Sequence, residues 1–133
     1  MFGHERLDVY QLALKYVAWV HSISERLKGQ HRYTRDQWIR SSESVPQNIA
    51  EGNGKGTVAD RRRYFEIARG SSLECAASQD ILQVTNGLTS AENLEGKEML
   101  ERIVAMLTKM SMREYQSNEE PGDYSADNND EER

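Results

Sequence analysis

Cysteine occurs once in the 133 residues, at Cys75, so no internal disulfide can form and the chain suits a reducing compartment. Proline occurs twice, at Pro46 and Pro121, which leaves almost nothing to interrupt helix before residue 114. Strand signals are sparse: β-branched residues are scattered, and no run alternates apolar and polar residues for long. No apolar stretch approaches the ~20 residues that cross a bilayer, and the N-terminus has no signal-peptide pattern. A cytoplasmic protein without membrane contact is therefore expected. The three histidines, His4, His21 and His31, show no His-x₃-His or Glu-x-x-His spacing, so neither metal nor cofactor is expected. Gly52-Asn53-Gly54-Lys55-Gly56-Thr57 has the residue types of a phosphate loop but not its spacing or its preceding strand.

The net charge of −5 is unevenly distributed. From Tyr115 to Arg133 there are seven acids against one base, a net of −6, and the segment has no apolar periodicity. It reads as a disordered acidic tail, leaving 1–114 as the folded domain. That domain holds 15 acids and 16 bases. Within 28–69 there are nine bases against five acids, so a mildly basic middle precedes the acidic end.

Four helical segments are legible in 1–114. The first, about Glu5 to Leu27, has one narrow polar stripe (Asp8, Gln11, Lys15, Ser22, Glu25) and is otherwise apolar, which predicts cover on more than one side. Gly29 suits a left-handed turn. The second helix is expected from Thr34, with Gln37 completing a capping box, to Glu51. The third spans about Val58 to Thr85, with Phe65, Ile67, Ala68, Leu73, Ala76, Ile81, Leu82 and Val84 as buried candidates. Asn86-Gly87 ends it. The fourth starts near Ser90 or Ala91 and ends near Arg113, with Met99, Ile103, Met106 and Met110 in one row. Short connections predict an all-α, antiparallel up-down-up-down four-helix bundle.

Helix breakers concentrate in two places. Pro46 lies mid-segment, either within a continuous, kinked helix or at the start of a new one at Gln47. Gly70, with Ser71 and Ser72, forms a small-residue face suited to close packing against Ser41, Ser42 or Ala50. Glu51 and Glu74 stand beside such residues. They are read first as ion-paired with Arg40, Arg63 or Arg69, and second as a general acid–base pair. No nucleophile with a partner base accompanies them, and Cys75 reads as a small core residue, so no catalytic residue is assigned. Arg61-Arg62-Arg63 opens the third helix after a loop bearing Lys55; at most two of the three share a face.

Ser44-x-Pro46-x-Asn48-Ile49-Ala50-Glu51-Gly52, then Arg63-x-Phe65 and Ala68-x-Gly70-Ser71-x-x-Glu74, resemble a family of four-helix-bundle proteins encoded in intervening sequences of bacterial 23S ribosomal RNA. Leu7-Asp8-Val9-Tyr10-Gln11-x-Ala13 resembles that family's first helix, and the likeness covers about residues 4–112. The family includes the accessory variability proteins of diversity-generating retroelements, pentameric barrels with a basic surface that partner a reverse transcriptase and nucleic acid. The resemblance implies a closed homo-oligomeric ring, a pentamer, without enzymatic activity. Its structural motif would be Pro46, Asn48, Glu51, Gly52, Gly70, Ser71 and Glu74. The expected function is an adaptor for RNA, DNA or a ribonucleoprotein, contacting phosphates through Arg40, Lys55, Arg61, Arg62, Arg63 and Arg69. The alternative is a structural protein–protein interaction module with no nucleic-acid role.

Overall fold

The structure, a computed structural model, describes residues 1–119. Four helices account for most of them: α1 (Asp8–Ser24), α2 (Arg32–Asn53), α3 (Val58–Val84) and α4 (Ser90–Glu119). Short 3₁₀ turns at Gly3–Arg6 and Gly29–His31 precede α1 and α2, and no strand occurs among the described residues. Each helix packs against the next, and α1 returns to touch α4, closing an antiparallel four-helix bundle. The fourth helix runs past Arg113 to Glu119, and the acidic segment from residue 120 lies outside the described residues.

Local sequence chemistry explains most helix ends. Gly29 adopts φ +62°, and Asn86 at φ +68° ends α3, so the left-handed residue there is the asparagine and not Gly87. Gly87 and Leu88 then return their N–H groups to the Leu82 carbonyl. Thr57 caps α3 by accepting from the Asp60 N–H at 3.2 Å. The start of α2 departs from expectation: it lies at Arg32, and the Thr34–Gln37 box does not form. The 3₁₀ turn feeds straight into the helix, leaving Thr34 inside it, and Gln37 donates to the Tyr33 hydroxyl instead. A box does form at α4, where Thr89 and Glu92 exchange side-chain-to-backbone bonds of 2.9 and 3.1 Å.

Pro46 sits inside an uninterrupted α2, which removes the reading in which a new helix starts at Gln47. Its ring is buried toward α1, so packing offsets part of the roughly 3 kcal/mol that an interior proline costs a helix.

The core is built from Leu12, Tyr16, Val20, Trp38, Val45, Ile49, Phe65, Leu82, Leu100, Ile103 and Leu107, all buried. Along α3 the inward row is Phe65, Ala68, Ser72, Cys75, Gln79 and Leu82, spaced by three and four. Four residues expected to be buried face outward instead: Ile67, Leu73, Ile81 and Val84, the last 80% exposed. The residues displacing them are small or polar. They allow α3 to approach α2 and α4 closely, and Gln79 hydrogen bonds across to Tyr16 of α1 and Asn93 of α4.

Those bonds form a chain through the centre of the bundle. Trp38 Nε1 donates to the Tyr16 hydroxyl at 2.9 Å, which donates to Gln79 Oε1 at 2.5 Å. Gln79 Nε2 donates to the Asn93 carbonyl and side-chain oxygens, and Asn93 Nδ2 donates to Gln83 and Asp80. All four helices contribute, and every bond in the chain points the same way. Burial pushes the Tyr16 hydroxyl far above its ordinary titration range, so it stays a neutral donor. It also pushes the neighbouring Cys75 thiol up to about 12.

Candidate nucleic-acid interface

The small-residue motif joins α2 to α3, but through partners other than those expected. Ser44 and Ser71 share a hydroxyl–hydroxyl bond of 2.8 Å, and Asn48 Nδ2 holds Ser44 by donating to its carbonyl and hydroxyl. Ser41 donates to Glu74 at 3.2 Å, while Glu51 pairs with Lys55 at 3.2 Å, four residues on in the loop that follows α2. Neither carboxylate pairs with Arg40, Arg63 or Arg69 among the described residues. Because Glu74 lies opposite Ser41, ten positions from Glu51 on α2, the two carboxylates are separated by about 15 Å along the helix axis. That is too far for the paired-carboxylate chemistry of glycosidases, which needs roughly 5–9.5 Å.

The close approach expected at Gly70 occurs elsewhere. A methyl group at Gly70 would meet nothing within 4 Å, whereas one at Gly52 would stand 2.8 Å from the Phe65 ring. At Gly96 it would stand 2.5 Å from Trp19 and 2.6 Å from Gln79. Gly96 was not marked by any motif; an isolated glycine inside a helical pattern was the available signal.

The structure gathers four of the six basic candidates at one end of the bundle, where α2 turns into α3. Lys55 and Arg63 lie over the Tyr64 ring, at 5.2 and 4.5 Å from its centre. Arg61 lies over Phe65 at 5.6 Å and donates to the Asn53 carbonyl at 3.1 Å, strapping the turn. Arg62 points to the α4 side, 3.9 Å from Glu66. Arg63 is loosely paired with Asp60 at 4.0 Å and is more than half exposed. The remaining two candidates are elsewhere. Arg69 lies two turns along α3 against α4, where its Nε donates to Thr108 Oγ1 at 2.8 Å. Arg40 is exposed on α2, about 20 Å by helical rise from the helix end at Asn53, and does not join the cluster.

Two grooves flank this end. One, between α1 and α2, has Tyr10, Leu14, Val17, Pro46 and Ala50 for walls and Glu43 and Glu51 at its rim. The other, between α3 and α4, has a volume of about 600 Å³ and is lined by Arg62, Glu66, Arg69, Thr108, Ser111 and Met112. No group of three or more metal-ligating side chains occurs among the described residues. No helix there is long and apolar enough to cross a membrane.

A closed helical bundle with a cation–aromatic cluster at one end is the class these features define. The model of the 23S rRNA-intervening sequence protein family matches residues 5–109, and the chain belongs to that family. Its fold is similar to a crystal structure of a protein of unknown function from the S23 ribosomal protein family of Bacteroides thetaiotaomicron. The match has a TM-score of 0.73 at 19% identity and spans 77% of this chain and 97% of that one. No curated protein matches.

Proposed function

We propose that this protein is a non-enzymatic, homo-oligomeric adaptor that binds RNA, DNA or a ribonucleoprotein through the basic α2–α3 end. The carrying observation is the cluster in which Lys55 and Arg63 flank Tyr64 while Arg61 covers Phe65. Cations interleaved with an aromatic ring suit both the phosphates and the base faces of a nucleic acid. Membership of a family described by ribosomal RNA intervening sequences supports the same reading. Within it, the finer assignment is an accessory protein of a diversity-generating retroelement, acting in the cytoplasm with a reverse transcriptase as partner.

Assembly into a closed ring, a pentamer, belongs to the proposal. The outward row of Leu73, Ile81 and Val84 supports it, since a solitary surface helix has little reason to expose three large aliphatic residues. The apolar groove between α1 and α2 offers a complementary surface. In a ring the basic cluster would repeat around the axis and its field would add.

The test is fluorescence anisotropy of a labelled structured RNA titrated with the full chain at low and moderate salt. Wild type should bind more weakly as salt rises. Replacing Arg61, Arg62 and Arg63 by alanine should cut affinity and lower the log–log salt slope by about 2, with helicity unchanged. Neutralising the acids of 119–132 should tighten binding at low salt. Salt-insensitive binding of a protein partner, retained in the arginine variant, would instead establish the second reading, a structural protein–protein interaction module. The aliphatic row on α3 is the observation on that side.

A further inference from the structure

We infer that the groove between α3 and α4 is a subsite for one internal phosphodiester of an RNA strand, with Arg69 as its main contact. The inference rests on the RNA-binding reading above and assigns one phosphate to a defined place. Arg62, Glu66 and Arg69 lie at steps of four and three on α3, so they share a face, and Thr108, Ser111 and Met112 oppose them from α4.

Two independent observations point to a missing anion. The first is Arg69. Its Nε is held by Thr108, which fixes the plane of the guanidinium, yet it pairs with no carboxylate among the described residues. A partly buried guanidinium with one edge anchored is prearranged to present its remaining N–H groups to a phosphate as a fork. The second is Ser111, a residue of the groove lining whose hydroxyl is buried with no hydrogen-bond partner among the described residues. A buried hydroxyl left unsatisfied is unfavourable, and an anion reaching the groove floor would satisfy it.

The charge count selects the kind of phosphate. Arg69 brings one positive charge that no carboxylate among the described residues takes up. An internal phosphodiester carries one negative charge and matches it. A terminal phosphate monoester, close to −2 at neutral pH, would set its second charge against Glu66. Met112, exposed beside the guanidinium, gives an apolar and polarizable wall for the adjoining sugar or base. Arg62 belongs both to this groove and to the Arg61–Arg63 run, so a strand lying on the Tyr64 cluster would continue into it.

The experiment titrates the full chain with a 3′-labelled oligouridylate carrying a 5′-hydroxyl, with inorganic phosphate and uridine monophosphate as competitors. Arg69→Gln should weaken binding about tenfold and lower the salt slope by about 0.7, the value of one phosphate contact on a single strand. Arg69→Lys should keep the slope but lose affinity, because lysine has no Nε to hold Thr108 and no fork. Ser111→Ala should weaken binding about threefold while the melting temperature holds or rises, an effect that damage to the fold would not produce. Arg102→Gln on the exposed side of α4 removes the same charge outside the groove and should change affinity less than twofold.

Binding by wild type with Arg69→Gln no weaker than Arg102→Gln overturns the subsite and leaves the RNA-binding reading standing. Competition by uridine monophosphate or inorganic phosphate as effective as by unlabelled oligonucleotide phosphate groups would make the groove a monoester site and overturn the assignment. No binding of the oligouridylate by wild type at any salt, with the structured RNA still bound, overturns the subsite alone; binding of neither removes both readings together.

Discussion

Tyr16→Phe tests whether the polar chain through the bundle stabilises this fold. The substitution keeps the ring and removes one oxygen that makes two hydrogen bonds, accepting from Trp38 Nε1 and donating to Gln79 Oε1. Both partners are fully buried, so neither can turn to water. Leaving a buried donor or acceptor unpaired costs about 1–3 kcal/mol, so two orphans predict a loss of about 2–4 kcal/mol. For a domain of this size that lowers the melting temperature by about 10 °C. Urea denaturation at fixed protein concentration, followed by circular dichroism and by tryptophan fluorescence, measures it. Fixed concentration matters because assembly would otherwise shift the midpoint. An unchanged slope with a lower midpoint is expected, since the substitution leaves the buried surface as it was. A loss below about 0.5 kcal/mol would refute the reasoning, for it would mean that the orphaned groups find other partners.

Other outcomes follow from the same geometry. Gly96→Ala should destabilise by about 1–3 kcal/mol, because its methyl would overlap Trp19 and Gln79. Gly70→Ala should stabilise by about 0.5–1 kcal/mol, since its position is helical and open; a reversed order in thermal melts would undo the packing described. Acid should weaken the bundle through Asp80 and Glu92. Hydrogen bonds from Lys97 and Asn93 hold Asp80 below the ordinary carboxylate range, and one from Arg26 does the same for Glu92. A depressed native value means the contribution is complete above the unfolded values near 4 and is lost as pH falls through the native ones. Urea midpoints should thus be flat from about pH 7 to 5 and fall below about pH 4, with Asp80→Asn and Glu92→Gln together flattening the drop. Charging the outward row with Ile81→Lys and Val84→Lys should leave helicity intact and shift sedimentation to the single-chain species. An unchanged sedimentation coefficient would take this row out of the proposed assembly.

Helix count, order and most ends were legible because they depend on local chemistry: Gly29, Thr57 and Asn86 act within a turn of their own position. The inside and outside of α3 were not. Ile67, Leu73, Ile81 and Val84 mark one face by hydropathy, while Ser72, Cys75 and Gln79 mark the other by size and hydrogen bonding, and the second set won. Nothing in a periodicity argument weighs a glutamine that finds Tyr16 on one side and Asn93 on the other, 63 and 14 residues away. The basic candidates were legible where they adjoin in sequence and illegible where they do not. Lys55 and Arg61 through Arg63 meet because a short turn brings them together, whereas Arg40 lies on a face that the turn does not reach. The pairing of Arg69 with Thr108 needs α4 to lie antiparallel beside α3, which only the folded chain shows.

Ile81 and Val84, the last members of the outward apolar row, and the cation cluster occupy opposite ends of one helix. The 27 residues of α3 extend about 40 Å, with Arg61 to Arg63 in the first two turns and Ile81 and Val84 in the last two. A helix of that length separates the two chemistries by more than a Debye length at physiological salt, which is about 8 Å. Under the proposed function, a polyanion bound at the arginine end would leave the aliphatic side chains at the other end of α3 uncovered. The buried chain from Trp38 to Asn93 lies between them and fixes the register of α3 against its three neighbours. A slip of one residue in that register would turn Gln79 out of its hydrogen bonds and rotate both ends by 100° at once. On this arrangement the polar interior of the bundle is what keeps the exposed aliphatic row and the cation cluster in a fixed relation, and a more apolar core would hold the helices together without holding that relation.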